Sequence, residues 1–188
     1  MKKPHALVLL LLVGIGVYFI HYMITYDERL LEQVLKGPGY DIKVVEESLP
    51  VELIVRSEWV PLAEEDIGVQ KRLNETLVIV ENTEIILSQV YNREDDIYFM
   101  FDLIPNLNNQ GGRFVYNRKI NSDGSLSYHL PERYKIINSS GENVDYGQYG
   151  FGSKASFGFA IEMDQIDAVK EGFSVEYSGL ILYEYRKK

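Results

Sequence analysis

The sequence predicts a mainly β protein in which one transmembrane helix precedes an antiparallel β-sandwich. An uninterrupted apolar run occupies residues 6–24. Beyond residue 40, apolar and polar residues alternate in short segments separated by turn residues, which is the pattern of half-buried strands. Helical spacing marks the segment between these regions. The chain therefore divides into a cytoplasmic tail at 1–5, a span at 6–24, a helical stalk or linker at 25–39 and one domain at 40–188.

The apolar run from Ala6 to Ile24 has the length of a membrane span. About 19 residues at about 1.5 Å each reach about 29 Å, close to the thickness of the hydrocarbon core of a bilayer. No acidic or basic residue interrupts it, and His21 lies near its far end. A cleaved signal peptide is the alternative, but that would have a shorter apolar core and a small-x-small cleavage site. The exit at 22–26 has no such site, so we expect a retained anchor.

Charge at the N-terminus predicts the orientation of this anchor. Lys2 and Lys3 precede the span, and positive residues stay on the cytoplasmic side. We therefore expect a single-pass protein of the cell membrane whose N-terminus is cytoplasmic and whose C-terminal domain is extracytoplasmic. Tyr18, Tyr22 and Tyr26 recur every fourth residue, which suits either an interfacial aromatic belt or one packing face of the helix.

Composition limits the partners of the domain. All 28 acidic residues and 17 of the 19 basic ones follow the span, because only Lys2 and Lys3 precede it, so the domain has a formal charge of 17 − 28 = −11. Such acidity argues against nucleic acid and against an anionic membrane surface as partners. The chain has no cysteine, which excludes disulfides and lipoprotein attachment and is more typical of Gram-positive surface proteins than of animal secreted modules.

A short helix is predicted at 27–36, directly after the span. Its apolar residues fall at helical spacing: Leu30, Leu31, Val34 and Leu35. Asp27 and Glu28 lie where negative charge favours a helix start, and the glycines and proline at 37–39 end it. The helix could extend the membrane helix as a stalk or pair with a partner helix, but docking onto the domain is the favoured interpretation.

Eleven segments along the domain are strand candidates, from which about nine short strands are expected. The first ones are Asp41–Glu46, Val51–Trp59, Thr76–Val80, Ile85–Tyr91 and Ile97–Ile104. The last of these is apolar on both faces, as expected for a strand buried within a sheet. The later ones are Phe114–Ile120, Ser125–Leu130, Tyr134–Ile137, Val144–Tyr149, Ser156–Met163 and Ser174–Arg186, with one helical turn at 164–170. Alternation predicts two sets of residues that each share one face, Phe157, Phe159, Ile161 and Met163 in the first strand of the last pair and Val175, Tyr177, Ile181, Tyr183 and Tyr185 in the second. Turn residues at 121–124 predict a hairpin. This pattern indicates an antiparallel sandwich, and we expect residues 38–188 to fold alone as a monomer.

The anchor, the strand–turn–strand around Asn138–Gly141 and the Tyr/Phe-rich closing strands resemble immunoglobulin-like accessory domains of Gram-positive bacterial membrane proteins. The resemblance covers about residues 40–186. The Cys-Trp-Cys spacing of true immunoglobulin domains is absent, and Trp59 alone does not replace it. The resemblance implies an immunoglobulin-like β-sandwich that serves as an extracytoplasmic binding module and inherits no active site.

Nucleophilic and zinc chemistry have few residues to use. Cysteine catalysis is excluded, and His129 is the one histidine beyond the anchor. A serine–histidine arrangement or a zinc site would depend on it, but an ordinary strand histidine is the favoured interpretation. The acidic runs Glu64–Asp66 and Glu94–Asp96 suggest calcium or a two-carboxylate glycosidase. Neither run matches an EF-hand, and acidic runs in loops are usually solvated.

The segment at 146–152 interleaves aromatic residues with glycine. Tyr146, Tyr149 and Phe151 could form a surface that stacks on glycan rings or contacts a partner, although aromatic residues folded back onto the core are the favoured alternative. We expect a non-catalytic, membrane-tethered module without cofactor or metal that binds a protein or glycan of the cell envelope. The rival is an envelope glycan hydrolase that uses paired carboxylates.

Overall fold

The computed structural model describes residue 15 and residues 26–128, 134–152 and 155–188. The predicted span at 6–24 lies outside the described residues except for Ile15, which is helical and exposed. Within the described ranges, no helix is long and apolar enough to cross a membrane. The span and the cytoplasmic tail therefore stay predictions.

Helix α1 (Tyr26–Lys36) is the helix predicted at 27–36, and it packs against the domain, as the favoured interpretation expected. Leu30, Val34 and Leu35 are buried and belong to the same apolar core as the sheets. The helix ends where the backbone N–H of Gly37 donates to the carbonyl oxygen of Gln33 at 2.8 Å. An isolated helix of this length is marginal in water, so packing stabilises it. A fragment beginning at residue 38 would lose these three buried side chains.

Twelve strands follow α1 in the described part of the chain. They are β1 (Tyr40–Val55), β2 (Gln70–Val80), β3 (Thr83–Asn92), β4 (Asp96–Pro105), β5 (Gly111–Tyr116), β6 (Arg118–Ile120), β7 (Leu126–Tyr128), β8 (Tyr134–Asn138), β9 (Asn143–Val144), β10 (Tyr149–Phe151), β11 (Phe157–Glu162) and β12 (Phe173–Lys187). Short 3₁₀ turns lie at Ser57–Trp59, Glu64–Asp66 and Met163–Gln165, and the last leads into helix α2 (Ile166–Val169).

The strands form two five-stranded antiparallel sheets and one separate hairpin. The first sheet has the order β1-β12-β8-β9, with β5 pairing the second half of β12. The second sheet has the order β10-β11-β4-β3-β2, and β6 pairs with β7 outside both sheets. The prediction of a mainly β, antiparallel sandwich is confirmed.

Aromatic rings from the two sheets meet in the core. Phe157 of the second sheet stacks on Tyr177 of the first, with centroids 4.2 Å apart and ring planes 8° apart. Phe99 contacts Phe173 edge-on at 5.1 Å. These four side chains are at most 4% exposed. Sheet-to-sheet contact between such rings excludes water from a large apolar area and gives the sandwich its main stabilising layer.

The residues expected on one face of β12 are all buried: Val175, Tyr177, Ile181, Tyr183 and Tyr185. Leu180 and Leu182, on the other face, are buried as well. The two successive strands predicted at 76–91 pair as the hairpin β2–β3, and the turn predicted at 121–124 lies between β6 and β7.

Several boundaries were predicted wrongly. Strand β1 is continuous, because its edge position accommodates Ser48 and Pro50 in bulges opposite β12, where proline is tolerated. The single strand expected at 114–120 is divided at Asn117, whose side chain is buried and donates to the carbonyl oxygen of Ala155 at 3.0 Å.

Two further predictions need correction. The strand expected at 144–149 is divided between β9 in the first sheet and the start of β10 in the second. Strand β4 is central, as expected, but only one of its faces is fully buried. Tyr98 and Met100 lie on the other face and are partly exposed, since no described sheet or helix is packed over that face.

Candidate functional site

The glycine-aromatic segment predicted as a contact surface forms the margin of the second sheet. Tyr149 and Phe151 belong to β10, which pairs with β11 on one side only. Ahead of β10, the N–H of Gly147 donates to the carbonyl oxygen of Ala160 at 2.9 Å. The N–H of Ala160 donates to the carbonyl oxygen of Gln148 at 2.7 Å. The segment is therefore fixed along β11 and is not a free loop.

Glycine lets a tyrosine of β4 lie across this margin. The hydroxyl of Tyr98 would be 3.5 Å from a Cβ atom at Gly150 and 2.9 Å from one at Gly158. Tyr98 is partly buried in this position, and this burial raises the pKa of its phenol above the usual value. The absence of side chains at the two glycines thus allows Tyr98 to cover the outer face of β10 and β11.

Tyr146 and Tyr149 are adjacent, but their exposure differs. Tyr146 is half-buried and contacts Phe159 of the core, with centroids 6.2 Å apart. Tyr149 is 50% exposed and lies 6.5 Å from both Tyr146 and Tyr134. The interpretation that the segment folds back onto the core therefore describes Tyr146, whereas Tyr149 presents much of its ring to solvent.

Phe151 extends the row through a residue that sequence reasoning missed. It stacks on Tyr128 of β7 with centroids 4.5 Å apart, and Tyr128 is 47% exposed. Arg118 lies 5.0 Å from the Tyr128 ring centroid and donates to the carbonyl oxygen of Gly152 at 2.8 Å. Arg118 and Tyr128 are opposite each other in the predicted hairpin, so their pairing was readable from sequence. The contact between Tyr128 and β10 was not, because it depends on where the hairpin docks.

We call the row formed by Tyr128, Phe151, Tyr149 and Tyr146 the aromatic edge. Its two exposed tyrosines present apolar ring surface with a hydroxyl, and Gln148 beside them is also exposed. Such rings suit stacking on a sugar ring or filling a pocket on a partner protein. The arrangement offers aromatic contact area at the surface.

The acidic runs are partly neutralised by neighbouring cations. Asp66 is buried and forms an ion pair with Lys71 at 2.7 Å. Asp96 accepts two hydrogen bonds from Arg93, each of 2.6 Å. Within the described residues, no three histidine, aspartate or glutamate side chains are grouped to hold a metal ion. His129 lies outside the described residues.

Three other glutamates line a shallow concavity at one end of the first sheet. This concavity encloses about 470 Å³ and includes Glu52, Glu58 and Glu171 beside the apolar Ile54 and Ile137. All three glutamates are exposed to solvent, whereas the general acid of a glycosidase is typically held in a water-poor pocket. The paired acids named from sequence are not in this concavity.

Comparisons of the chain with protein-family models, with curated proteins and with solved structures found no match.

Proposed function

We propose that this chain is a non-catalytic binding module, tethered to the cell membrane by residues 6–24, whose aromatic edge contacts a protein or glycan of the cell envelope. The observation that supports this most directly is the aromatic row at the margin of the second sheet, with Tyr128 and Tyr149 each about half exposed. Among the aromatic side chains whose burial the structure describes, these two alone are exposed, and most of the others are buried.

Rigidity supports the same proposal. The aromatic edge is bonded to β11 and is packed on the core through Phe151 and Tyr146. A surface that is ordered before binding loses less conformational entropy when a ligand docks. Aromatic side chains with few rotatable bonds are enriched in binding sites for this reason.

The membrane topology is also part of the proposal. The length of the apolar run and the position of Lys2 and Lys3 support an extracytoplasmic domain. Protease added to intact protoplasts should then digest the domain, and protection of the domain would contradict this topology.

We propose that this domain resembles immunoglobulin-like accessory domains only in having two packed antiparallel sheets. In the chain described here, β1 and β12, the first and last strands, pair in one sheet. The immunoglobulin constant-type arrangement places its first and last strands in different sheets.

Two assays test this proposal with the full chain. Co-sedimentation measures binding of the chain, in detergent micelles, to purified cell-wall glycan. Crosslinking in native membranes measures binding to envelope proteins. Tyr149→Ala and Tyr128→Ala should each weaken binding in one of the two assays by about tenfold or more, as for a central aromatic contact. Ile79→Ala is the matched control, because Ile79 is 65% exposed and lies on β2 at the opposite margin of the same sheet.

Two outcomes would contradict the proposal. One is equal binding by the tyrosine variants and the control in both assays. The other is cleavage of envelope glycan by the purified chain, with activity lost in Glu52→Gln, Glu58→Gln or Glu171→Gln. The second outcome would assign the chain to the hydrolase class and the reaction to the concavity.

A further inference from the structure

The loop at 61–69 exposes three large aliphatic side chains far along the chain from the aromatic edge. It connects β1 of the first sheet with β2 of the second. Leu62, Ile67 and Val69 are 45%, 47% and 42% exposed. Single exposed apolar residues are common on protein surfaces, but several within one short loop are typical of an interaction site.

A buried residue closes this loop at its base. The side-chain amide of Asn92, which is 1% exposed, donates to the carbonyl oxygen of Pro61 at 2.9 Å. The N–H of Gly68 donates to the backbone carbonyl oxygen of Asn92, also at 2.9 Å. Both ends of the loop are therefore bonded to one residue. Leu62 and Ile67, each next to a bonded end, are held near one another.

Further bonds fix the interior of the loop. The N–H of Asp66 donates to the carbonyl oxygen of Ala63 at 2.9 Å, and the N–H of Val69 donates to that of Asp66 at 3.0 Å. The buried carboxylate of Asp66 pairs with Lys71. Since the backbone is fixed in this way, the exposed side chains are held in place for a partner at little further entropic cost.

The negative charge of the 61–69 loop limits which partners could bind there. Glu64 and Glu65 lie between the aliphatic residues, are exposed and form no ion pair among the described residues. The loop therefore presents two uncompensated negative charges beside apolar surface. An anionic lipid surface would be repelled, and so would the same loop of a second copy, because like charges would face each other.

We propose that the 61–69 loop is a docking site for a segment of another protein that carries aliphatic side chains together with lysine or arginine. The aliphatic side chains of the partner cover Leu62, Ile67 and Val69, and its cations pair with Glu64 and Glu65. This surface is separate from the aromatic edge, so the module contacts a second component of an assembly through it.

The experiment uses the full chain expressed in its own cells, with p-benzoylphenylalanine placed at position 62 or 67 for photo-crosslinking. Both positions should give a discrete protein adduct, whereas the same label at the more exposed Ile79 should not. Mass spectrometry of the adduct should identify a partner segment with lysine or arginine beside aliphatic residues. Adduct formation should survive Tyr149→Ala, because that change affects only the aromatic edge.

Charge reversal provides the decisive control. The pair Glu64→Lys and Glu65→Lys should reduce the adduct yield at least fivefold. The pair Glu46→Lys and Glu75→Lys changes the net charge equally at exposed positions on β1 and β2, and should leave the yield within twofold. The proposal is overturned by an absent adduct, an adduct with lipid or with a second copy, or an equal loss of yield in both charge-reversed pairs.

Discussion

The aromatic core and the aromatic edge consist of the same residue types but have opposite surroundings. Phe157 and Phe159 of β11 are at most 1% exposed, and their rings contact rings of the facing sheet. Tyr149 of β10, directly opposite Phe159 in the register, is 50% exposed. A shift of one strand toward the margin of the sheet therefore changes a core position into a surface position.

Strand order, rather than aromatic content, decides whether a ring lies in the core or at the surface. Among the described strands, β11 has a neighbour on each side, whereas β10 has one. The facing sheet covers β11 with Tyr177 and Phe173. At β10 this cover is incomplete, and ring area of Tyr149 is left exposed to solvent.

The largest expected effect is the difference in stability lost when a ring is removed from the core and when one is removed from the aromatic edge. Phe157→Ala should lower the free energy of unfolding by about 3–5 kcal/mol, because it leaves a cavity beside Tyr177 that the packed sheets cannot fill. Tyr149→Ala should lower it by less than about 1 kcal/mol, because half of the ring is already exposed. Urea unfolding of the full chain in detergent measures both values.

Equal losses of unfolding free energy in these two variants would contradict the distinction between the core and the aromatic edge. They would show that Tyr149 supports the core, and its exposure would then no longer argue for ligand contact.

Much of the fold was predictable because its signals are local. Alternation in β11 and β12 identified the inward residues, and the glycines and proline after α1 marked its end. The continuity of β1 was not predictable from its own residues. Ser48 and Pro50 usually indicate a break, but pairing along the whole of β12 accommodates them as bulges.

The second prediction compares two glycines that lie under the same tyrosine. Gly158→Ala should lower the free energy of unfolding by about 1–3 kcal/mol, because the new methyl group would overlap the carbonyl oxygen of Phe99 and press on Tyr98. Gly150→Ala should change it by less than about 0.5 kcal/mol, because its methyl group would lie 3.5 Å from the Tyr98 hydroxyl, an ordinary contact.

Urea midpoints of the two glycine variants measure this difference. A small effect at Gly158 would show that β11 and β4 separate easily, and the core would then be less rigid than the aromatic edge it supports.

The candidate site was only partly predictable, for a physical reason. Tyr146, Tyr149 and Phe151 are close in sequence, so their composition was visible. Tyr128 joins them because the β6–β7 hairpin docks against β10, a contact between segments about 20 residues apart. The 61–69 loop was seen as an acidic run, but its closure depends on Asn92, which no local pattern connects with it.

The third prediction is the smallest, since it changes ionisation and leaves every ring in place. Burial raises the pKa of Tyr183 and of Tyr185 above the usual value of about 10. Their hydroxyls donate to the carbonyl oxygens of Arg118 and Asn108 at 3.0 and 2.8 Å. A raised pKa in the folded state means that the fold favours the protonated phenol.

The stability contributed by these protonated phenols is therefore fully present below about pH 10 and is lost as the pH rises through the folded-state values. Urea midpoints measured from pH 8 to 11 should fall above pH 10. The double variant Tyr183→Phe and Tyr185→Phe should show a shallower fall over the same range, because it has no hydroxyl to ionise at either position. All other side chains are the same in both proteins. Identical slopes would therefore show that the two hydroxyls reach water as readily in the folded chain as in the unfolded one. The contrast between tyrosines of the core and tyrosines of the aromatic edge would then hold for their rings but not for their hydroxyls.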